Sequence, residues 1–349
     1  MTKKCLMFLA SVICVSNFAF ADDKSTAKNT KDEGVVNIYT ARHYESDKAL
    51  YALFKEKTGI QVNVVSAGAP ELIERIKREG ESTSADIFIT VDGGVLYTAK
   101  TAGILQPIDS KKILENVPSN LRDKDNMWVG VTSRARVIVY SLDRVKPEQL
   151  STYEDLANPK WKGKVVARPS SSMYDQSLLA SLITFDGEAN ALSWVKGVVN
   201  NFARPPKGND RGQAVDIVAG VADVALMNTY YIGQMLNSKN PEEVAVAKKI
   251  GIFFPNQATT GTHINLSGAG LTKYAKNREN AIKFIDFLTS KQAQEMISVA
   301  NYEYPVNPEA KQHPTLESWG KFKIQNIDFS EFGINNARAI QLFAEGNWK

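Results

Sequence analysis

The feature that most constrains the fold of this chain is a regular alternation of strand-like and helix-like segments. Three short apolar runs have the composition of buried strands, at residues 35–40, 62–65 and 87–91. A segment with helical spacing follows each run and stops at a glycine, at Gly59, Gly80 and Gly103. This alternation predicts an α/β fold with parallel strands and right-handed crossovers. Ligands on such sheets bind beyond the carboxyl ends of the strands, so residues 40–45 are a candidate site.

The N-terminus has the pattern of a cleavable signal peptide. Two lysines precede an apolar run at residues 5–15, and Ala19-Phe20-Ala21 offers the small residues that a signal peptidase requires. We therefore expect residues 1–21 to be removed and the mature chain to be exported. Residues 22–34 are polar and charged, which predicts a disordered leader.

Composition excludes several classes of function. Both cysteines, Cys5 and Cys14, lie in the predicted signal peptide, so no disulfide or thiolate metal ligand is expected in the mature chain. The full chain carries 42 basic and 38 acidic residues, and loss of the two signal-peptide lysines leaves a net charge of about +2. Without clustered basic charge, no nucleic-acid partner is expected.

The length of the chain predicts two lobes. Removal of 21 of the 349 residues leaves about 328, more than a single core usually holds. An extended run at residues 128–140 is long enough to pass from one lobe to the other, and a second crossing is expected near residues 259–262. The predicted first lobe comprises residues 35–128 and 261–304, and the second comprises residues 129–260 and 305–349.

Adjacent tyrosines mark a second candidate site. Tyr230 and Tyr231 follow a strand-like run and open a predicted helix, where neighbouring residues do not share one helical face. Such a pair is placed to face a cleft, although tyrosine is also common in cores. His43 and Tyr44 follow the first strand, where His43 taken alone favours a hydrogen-bonded loop histidine. Tyr174 follows three serines at a helix start, a position equally suited to binding an anion.

Several segments of the chain resemble one known family. They are VNIYTARH at 36–43, ADIFIT at 85–90, YEDLANPKWKGKV at 153–165, NTYY at 228–231 and YEYPVNP at 302–308. Together they resemble the periplasmic ferric-iron-binding proteins of ABC importers, over residues 35–349. Such a protein has the two-lobed type II solute-binding fold, in which each lobe is a sheet flanked by helices and hinge strands join the lobes. The tyrosine pair combined with the His-Tyr after the first strand is the specific part of the resemblance.

The resemblance implies a metal site. It makes Tyr230 and Tyr231 paired phenolate ligands and His43 a ligand from the opposite lobe. Some members of the family add an acid directly after the third-strand threonine, but Val91 stands there in this chain. The cyanobacterial FutA-like branch uses further tyrosines instead, and Tyr44 and Tyr174 stand at those places. The implied ligand is a ferric ion (Fe3+), which is a transported cargo rather than a catalytic cofactor. The implied partner is an inner-membrane ABC permease with its ATPase. The chain is expected to be a periplasmic monomer.

The chemistry of the ligand set agrees with a hard trivalent cation. Ferric iron prefers anionic oxygen, whereas most divalent transition metals prefer nitrogen and sulfur donors. Because free tyrosine has a pKa near 10, binding must release protons and weaken in acid. Four phenolates around a 3+ ion leave one negative charge, which an arginine could offset. The candidates are Arg42, Arg204 and Arg211.

Two alternatives remain at this stage. The same fold could bind a polyamine, although Asp92, Trp128 and Tyr44 supply few of the carboxylates and aromatic rings that such a site needs. It could also bind an oxyanion held by Ser170–Ser172 and an arginine. A secreted enzyme is a different class of function. The mature chain lacks cysteine, a Gly-x-Ser-x-Gly motif and a zinc motif, so we expect no enzyme. His263 and His313 are interpreted as structural or surface residues.

Overall fold

The computed structural model describes residues 34–42 and 44–349. The predicted signal peptide, the predicted leader as far as residue 33, and His43 lie outside the described residues. Among the helices of the described part, none is long and apolar enough to cross a membrane.

The described chain contains strands that vary from two to fourteen residues in length. They are β1 (Val35–Thr40), β2 (Gln61–Ser66), β3 (Ile87–Thr90), β4 (Leu105–Gln106), β5 (Trp128–Ser141), β6 (Val165–Val166), β7 (Val224–Asn228), β8 (Ile250–Phe253), β9 (Ile264–Thr272) and β10 (Tyr304–Pro305).

Helices occupy most of the connections between these strands. They are α1 (Asp47–Thr58), α2 (Ala69–Glu79), α3 (Gly93–Thr101), α4 (Lys111–Asn116), α5 (Met173–Asp186), α6 (Glu188–Asn200), α7 (Asp210–Val218), α8 (Thr229–Leu236), α9 (Pro241–Ala247), α10 (Arg278–Thr289), α11 (Lys291–Asn301), α12 (Pro314–Ser318), α13 (Ser330–Ile334) and α14 (Asn336–Glu345).

The strands form a mixed sheet in the order β2-β1-β3-β9-β5-β7-β6. The parallel pairing predicted from the alternating segments is confirmed, because β1 pairs in parallel with both β2 and β3. In contrast, β9 pairs antiparallel with both β3 and β5. These antiparallel strands come from distant parts of the chain, and local periodicity could not predict their partners.

Strand β5 belongs to both halves of this sheet. Its first half, Trp128 to Ala135, pairs with β9, and its second half, Arg136 to Tyr140, pairs with β7. Every residue of β5 is buried. At the change of partner, the Tyr153 hydroxyl donates to the Arg136 carbonyl and accepts from the backbone N–H of His263. The long extended run expected from the sequence is therefore confirmed as one continuous strand.

The core lies on both faces of the sheet because side chains alternate along each strand. In the second half of the sheet, Val137 and Met227 face the main hydrophobic core. The neighbouring Ile138 and Leu226 face a separate core, which contains residues of α5, α6 and α14. Helix packing on both faces holds the ends of the strands, and the turns that leave those ends, in fixed positions.

Candidate metal centre

Each described tyrosine of the predicted site lies in a turn or in the first turn of a helix. Tyr44 occupies the connection from β1 to α1, and Tyr174 is the second residue of α5. Tyr230 and Tyr231 are the second and third residues of α8, which begins directly after β7. The strand-to-helix junction expected for the tyrosine pair is therefore present. His43 lies outside the described residues, and its part in metal binding stays a prediction.

The structure brings these four tyrosines into one cluster. The hydroxyl oxygens of Tyr174 and Tyr230 are 3.1 Å apart, and the Tyr44 and Tyr230 rings meet edge to face with centroids 6.4 Å apart. The rings of Tyr230 and Tyr231 lie 4.2 Å apart, and the Tyr231 hydroxyl interacts with those of Tyr174 and Tyr230. Oxygen ligands about 2 Å from one small cation lie about 3 Å from each other. The spacing of the Tyr174 and Tyr230 oxygens therefore fits a shared cation.

The environment of Tyr44, Tyr230 and Tyr231 disfavours their ionised forms. Burial, followed by the charge of Glu303, raises the pKa of Tyr44. Burial and the neighbouring tyrosines raise the pKa of Tyr230 well above its usual value. Burial also raises the pKa of Tyr231. A cation that binds here must displace the phenolic protons, because phenols that ionised without the cation would place several like charges in a poorly solvated site.

Arg134 is a buried cation beside the cluster. It is 2 % exposed, and its guanidinium lies 5.9 Å from the centre of the Tyr174 ring. Its Nη2 donates to the Val91 carbonyl, whereas Nε and Nη1 have no hydrogen-bond partner among the described residues. No carboxylate of the described chain forms a salt bridge with it. Its charge acts on Tyr44 and Tyr230 and opposes the rise of their pKa values.

The three arginines proposed from the sequence are already paired. Arg204 forms a salt bridge with Asp216, and Arg211 forms one with Glu243 at 2.6 Å. Arg42 forms salt bridges with two carboxylates, described below. Sequence reasoning missed Arg134, although a signal was present. Two arginines, Arg134 and Arg136, alternate within a long strand that is otherwise largely apolar.

Arg42 positions Tyr44 rather than supplying free charge. Its guanidinium lies 4.3 Å from the centre of the Tyr44 ring and is bound by Asp47 at 2.9 Å and Glu303 at 3.0 Å. Burial alone would lower the pKa of Arg42, but the two carboxylates raise it above its usual value. The YEYPVNP segment thus contributes Glu303 to the support of the Tyr44 ring.

Arg136 connects the helices that carry the other tyrosines. Its Nη2 bonds Asp175, the residue after Tyr174, at 2.6 Å, and its Nη1 bonds Asp210 of α7 at 2.8 Å. The same Nη1 donates to the side chain of Asn228, which precedes α8, at 3.3 Å. One guanidinium in the shared strand β5 therefore fixes the starts of α5, α7 and α8 relative to each other.

The alternative ligand sites are less complete. Trp128 is fully buried against Phe329, and the Asp92 carboxylate is bonded to Ser177 and Asn265, so no open aromatic box for a polyamine forms there. The oxyanion alternative retains one feature. Ser172, before α5, is buried with a hydroxyl that lacks a partner within the described chain. The described residues contain no cluster of three or more His, Cys, Asp or Glu able to hold a metal, which leaves the phenols as the candidate ligands.

Comparison with protein-family models assigns residues 82–331, well over half of the chain, to the bacterial extracellular solute-binding proteins. The chain belongs to this family. The solute-binding protein is 47 % identical over 335 residues to iron uptake protein A1 of Synechocystis sp., covering 96 % of this chain and 93 % of that one.

Solved structures give the same result. The solute-binding protein is 49 % identical to FutA (IdiA) from Trichodesmium, solved in complex with iron and citrate ligands. The TM-score is 0.87, with 90 % of this chain and 100 % of that chain covered. The solute-binding protein is also 44 % identical to the ferric binding protein from Campylobacter jejuni, with a TM-score of 0.84. That match covers 90 % of this chain and 100 % of the Campylobacter chain. The resemblance to ferric-iron-binding proteins and the type II fold class predicted from the sequence are thus confirmed.

Proposed function

We propose that this chain is an exported periplasmic protein that captures a ferric ion between two lobes and delivers it to an ABC permease and its ATPase. Tyr44, Tyr174, Tyr230 and Tyr231 are the proposed phenolate ligands. The observation that carries the proposal is the single cluster of four phenols beside a buried arginine, Arg134, that forms no salt bridge within the described residues. The names of the relatives, which refer to iron uptake and ferric binding, support it. The protein catalyses no reaction and acts as a monomer.

Charge favours a trivalent ion. Four phenolates and Fe3+ carry one net negative charge, and the Arg134 guanidinium brings the sum over the ion, the phenolates and Arg134 to zero. With a divalent ion, the same set keeps one negative charge in a buried site, which is costly. This argument makes Arg134 the counter-charge of the loaded centre. His43, as a fifth ligand, would be a neutral imidazole and would not change the sum.

Metal binding would link two lobes. The proposed first lobe, residues 35–128 and 261–304, supplies Tyr44 and His43. The proposed second lobe, residues 129–260 and 305–349, supplies Tyr174, Tyr230 and Tyr231. The two lobes close by hinge motion about β5 and the start of β9, and the permease recognises the closed form. Continuous pairing of β5 with strands of both halves supports this arrangement.

Visible spectroscopy tests the ligand set. The mature chain, stripped of metal and then loaded from ferric citrate, is expected to show a phenolate-to-iron charge-transfer band. Tyr230→Phe or Tyr231→Phe should weaken and shift this band because each removes a phenolate. Tyr274→Phe is the matched control, since Tyr274 is exposed beside Lys273, away from the cluster. A colourless loaded protein, or equal loss of colour in the control, would refute the proposal.

A further inference from the structure

A polar contact outside the proposed ligand set joins the helix of Tyr174 to the turn after β3. The Ser177 hydroxyl on α5 donates to Asp92 Oδ2 at 2.6 Å. Ser177 lies three residues after Tyr174, so both side chains share one face of α5. Both partners are buried, with 2 % exposure for Ser177 and 4 % for Asp92.

Asp92 is itself held firmly. Its Oδ1 accepts from the backbone N–H of Val95 and caps α3, and its Oδ2 also accepts from Asn265 Nδ2 of β9 at 2.6 Å. Asn265 in turn accepts from the N–H of Gly93. The preceding residue, Val91, is bonded through its carbonyl to Arg134. Asp92 is therefore a rigid anchor for any group that binds it.

The tyrosine cluster needs such an anchor when metal is absent. Neutral phenols attract each other weakly, and the Tyr174 hydroxyl contacts the hydroxyls of two other neutral phenols, Tyr230 and Tyr231. A cavity of about 480 Å³ borders Tyr174 and Ser177, so the start of α5 is not packed on that side. A hydrogen bond to a buried carboxylate is among the stronger polar contacts in proteins.

We propose that Asp92, in the proposed first lobe, and Ser177, in the proposed second lobe, are a positioning pair that stabilises the closed arrangement and so holds α5, and Tyr174 with it, at the metal centre in the absence of iron. In the loaded protein the same pair slows the release of the ion, because Tyr174 must move away before the cluster can open. A site that is already ordered binds its ligand with a smaller entropic cost. The second statement rests on the proposed function, whereas the first does not.

Ser177→Ala tests the retention of iron. Tyr174 and the other phenols remain, so the position of the charge-transfer band should not change. Transfer of iron to excess EDTA should become about tenfold faster, as expected for loss of one charged hydrogen bond. Ser181→Ala is the matched control, because Ser181 lies one turn later on α5, is also buried and, among the described residues, bonds only the Leu178 carbonyl of its own helix. Ser177→Thr keeps the hydroxyl, and its added methyl can enter the neighbouring cavity, so it should restore slow release.

Hydrogen exchange tests the metal-free protein separately. Amides of the first turn of α5 should exchange about tenfold faster in Ser177→Ala than in the wild type, with no change in Ser181→Ala. Equal exchange rates in all variants would overturn the positioning role, and equal release rates would overturn the retention role. If the wild type takes up no iron, the proposed function fails, but the exchange experiment still decides whether the pair positions α5.

Discussion

At the scale of single residues, the metal centre depends on which charges are already compensated. Arg134 and Arg211 each place a guanidinium 5.9 Å from the centre of a cluster tyrosine ring, Tyr174 and Tyr231 respectively. Only Arg211 of the two has a carboxylate partner in the described chain, Glu243. The two guanidinium groups lie at equal distances from a ligand ring, but only one of them has a carboxylate partner among the described residues. Substitutions of these two arginines can therefore be compared directly.

Arg134→Gln should weaken ferric binding on the order of thirtyfold. A charge about 6 Å from the ring of a ligand, in surroundings of intermediate dielectric, contributes about 2 kcal/mol. Arg211→Gln should change the affinity only a few-fold because Glu243 already neutralises that arginine. Arg134→Lys, which keeps the charge, should retain most of the affinity. Competition titration against citrate measures all three, and equal losses for Arg134→Gln and Arg211→Gln would contradict the assignment of the counter-charge.

At the scale of elements, the buried Arg136 network sets the arrangement of α5, α7 and α8. Asp175 and Asp210 are both buried, and Arg136 contacts both, while Arg168 also bonds Asp210 at 3.0 Å. Loss of Arg136 would leave Asp175 without a salt bridge in the described chain, whereas Asp210 would keep the one with Arg168. The three helix starts would then lose their common contact.

Arg136→Met should destabilise the metal-free protein by about 3 kcal/mol, as expected when one partner of a buried ion pair is removed. The double variant Arg136→Met with Asp175→Asn should recover part of this loss, because the unpaired carboxylate is gone and Asp210 retains Arg168. Urea denaturation at neutral pH measures both values. A loss below about 1 kcal/mol in the single variant would show that the network does not hold these helices.

At the scale of the whole molecule, metal binding is coupled to protons. The pKa values of Tyr44, Tyr230 and Tyr231 are raised by burial, so these phenols are protonated at neutral pH without metal. Each phenol that becomes a ligand releases a proton. Protons therefore compete with iron, and affinity must fall as the pH falls.

The apparent affinity for Fe3+ should drop steeply between pH 8 and pH 5. The slope can reach about four decades per pH unit if all four proposed phenols ligate. Titration from ferric citrate at stepped pH, corrected for the protonation of citrate, gives the slope. Tyr231→Phe should reduce the slope by about one decade. An affinity that does not change with pH would exclude phenolate ligation.

Local pattern predicted much of the fold. Strand β1 and the ends of α1 and α2 at Gly59 and Gly80 agree with the sequence-based expectation, because short-range spacing and glycine conformation determine them. The mixed character of the sheet was not predicted. It depends on β9, whose antiparallel partners β3 and β5 lie far away in the chain.

By itself, the sequence determined the chemistry available to this protein: phenols at the ends of strands and at the starts of helices, and no cysteine outside the first residues. Such features are local, because the residue type and the adjoining strand or helix suffice to define them. Only the tertiary structure decided that Arg134 has no carboxylate partner among the described residues and that Ser177 meets Asp92, 85 positions away in the chain. Whether a buried charge is compensated, and which distant group satisfies a hydroxyl, depends on neighbours that only the folded chain brings together.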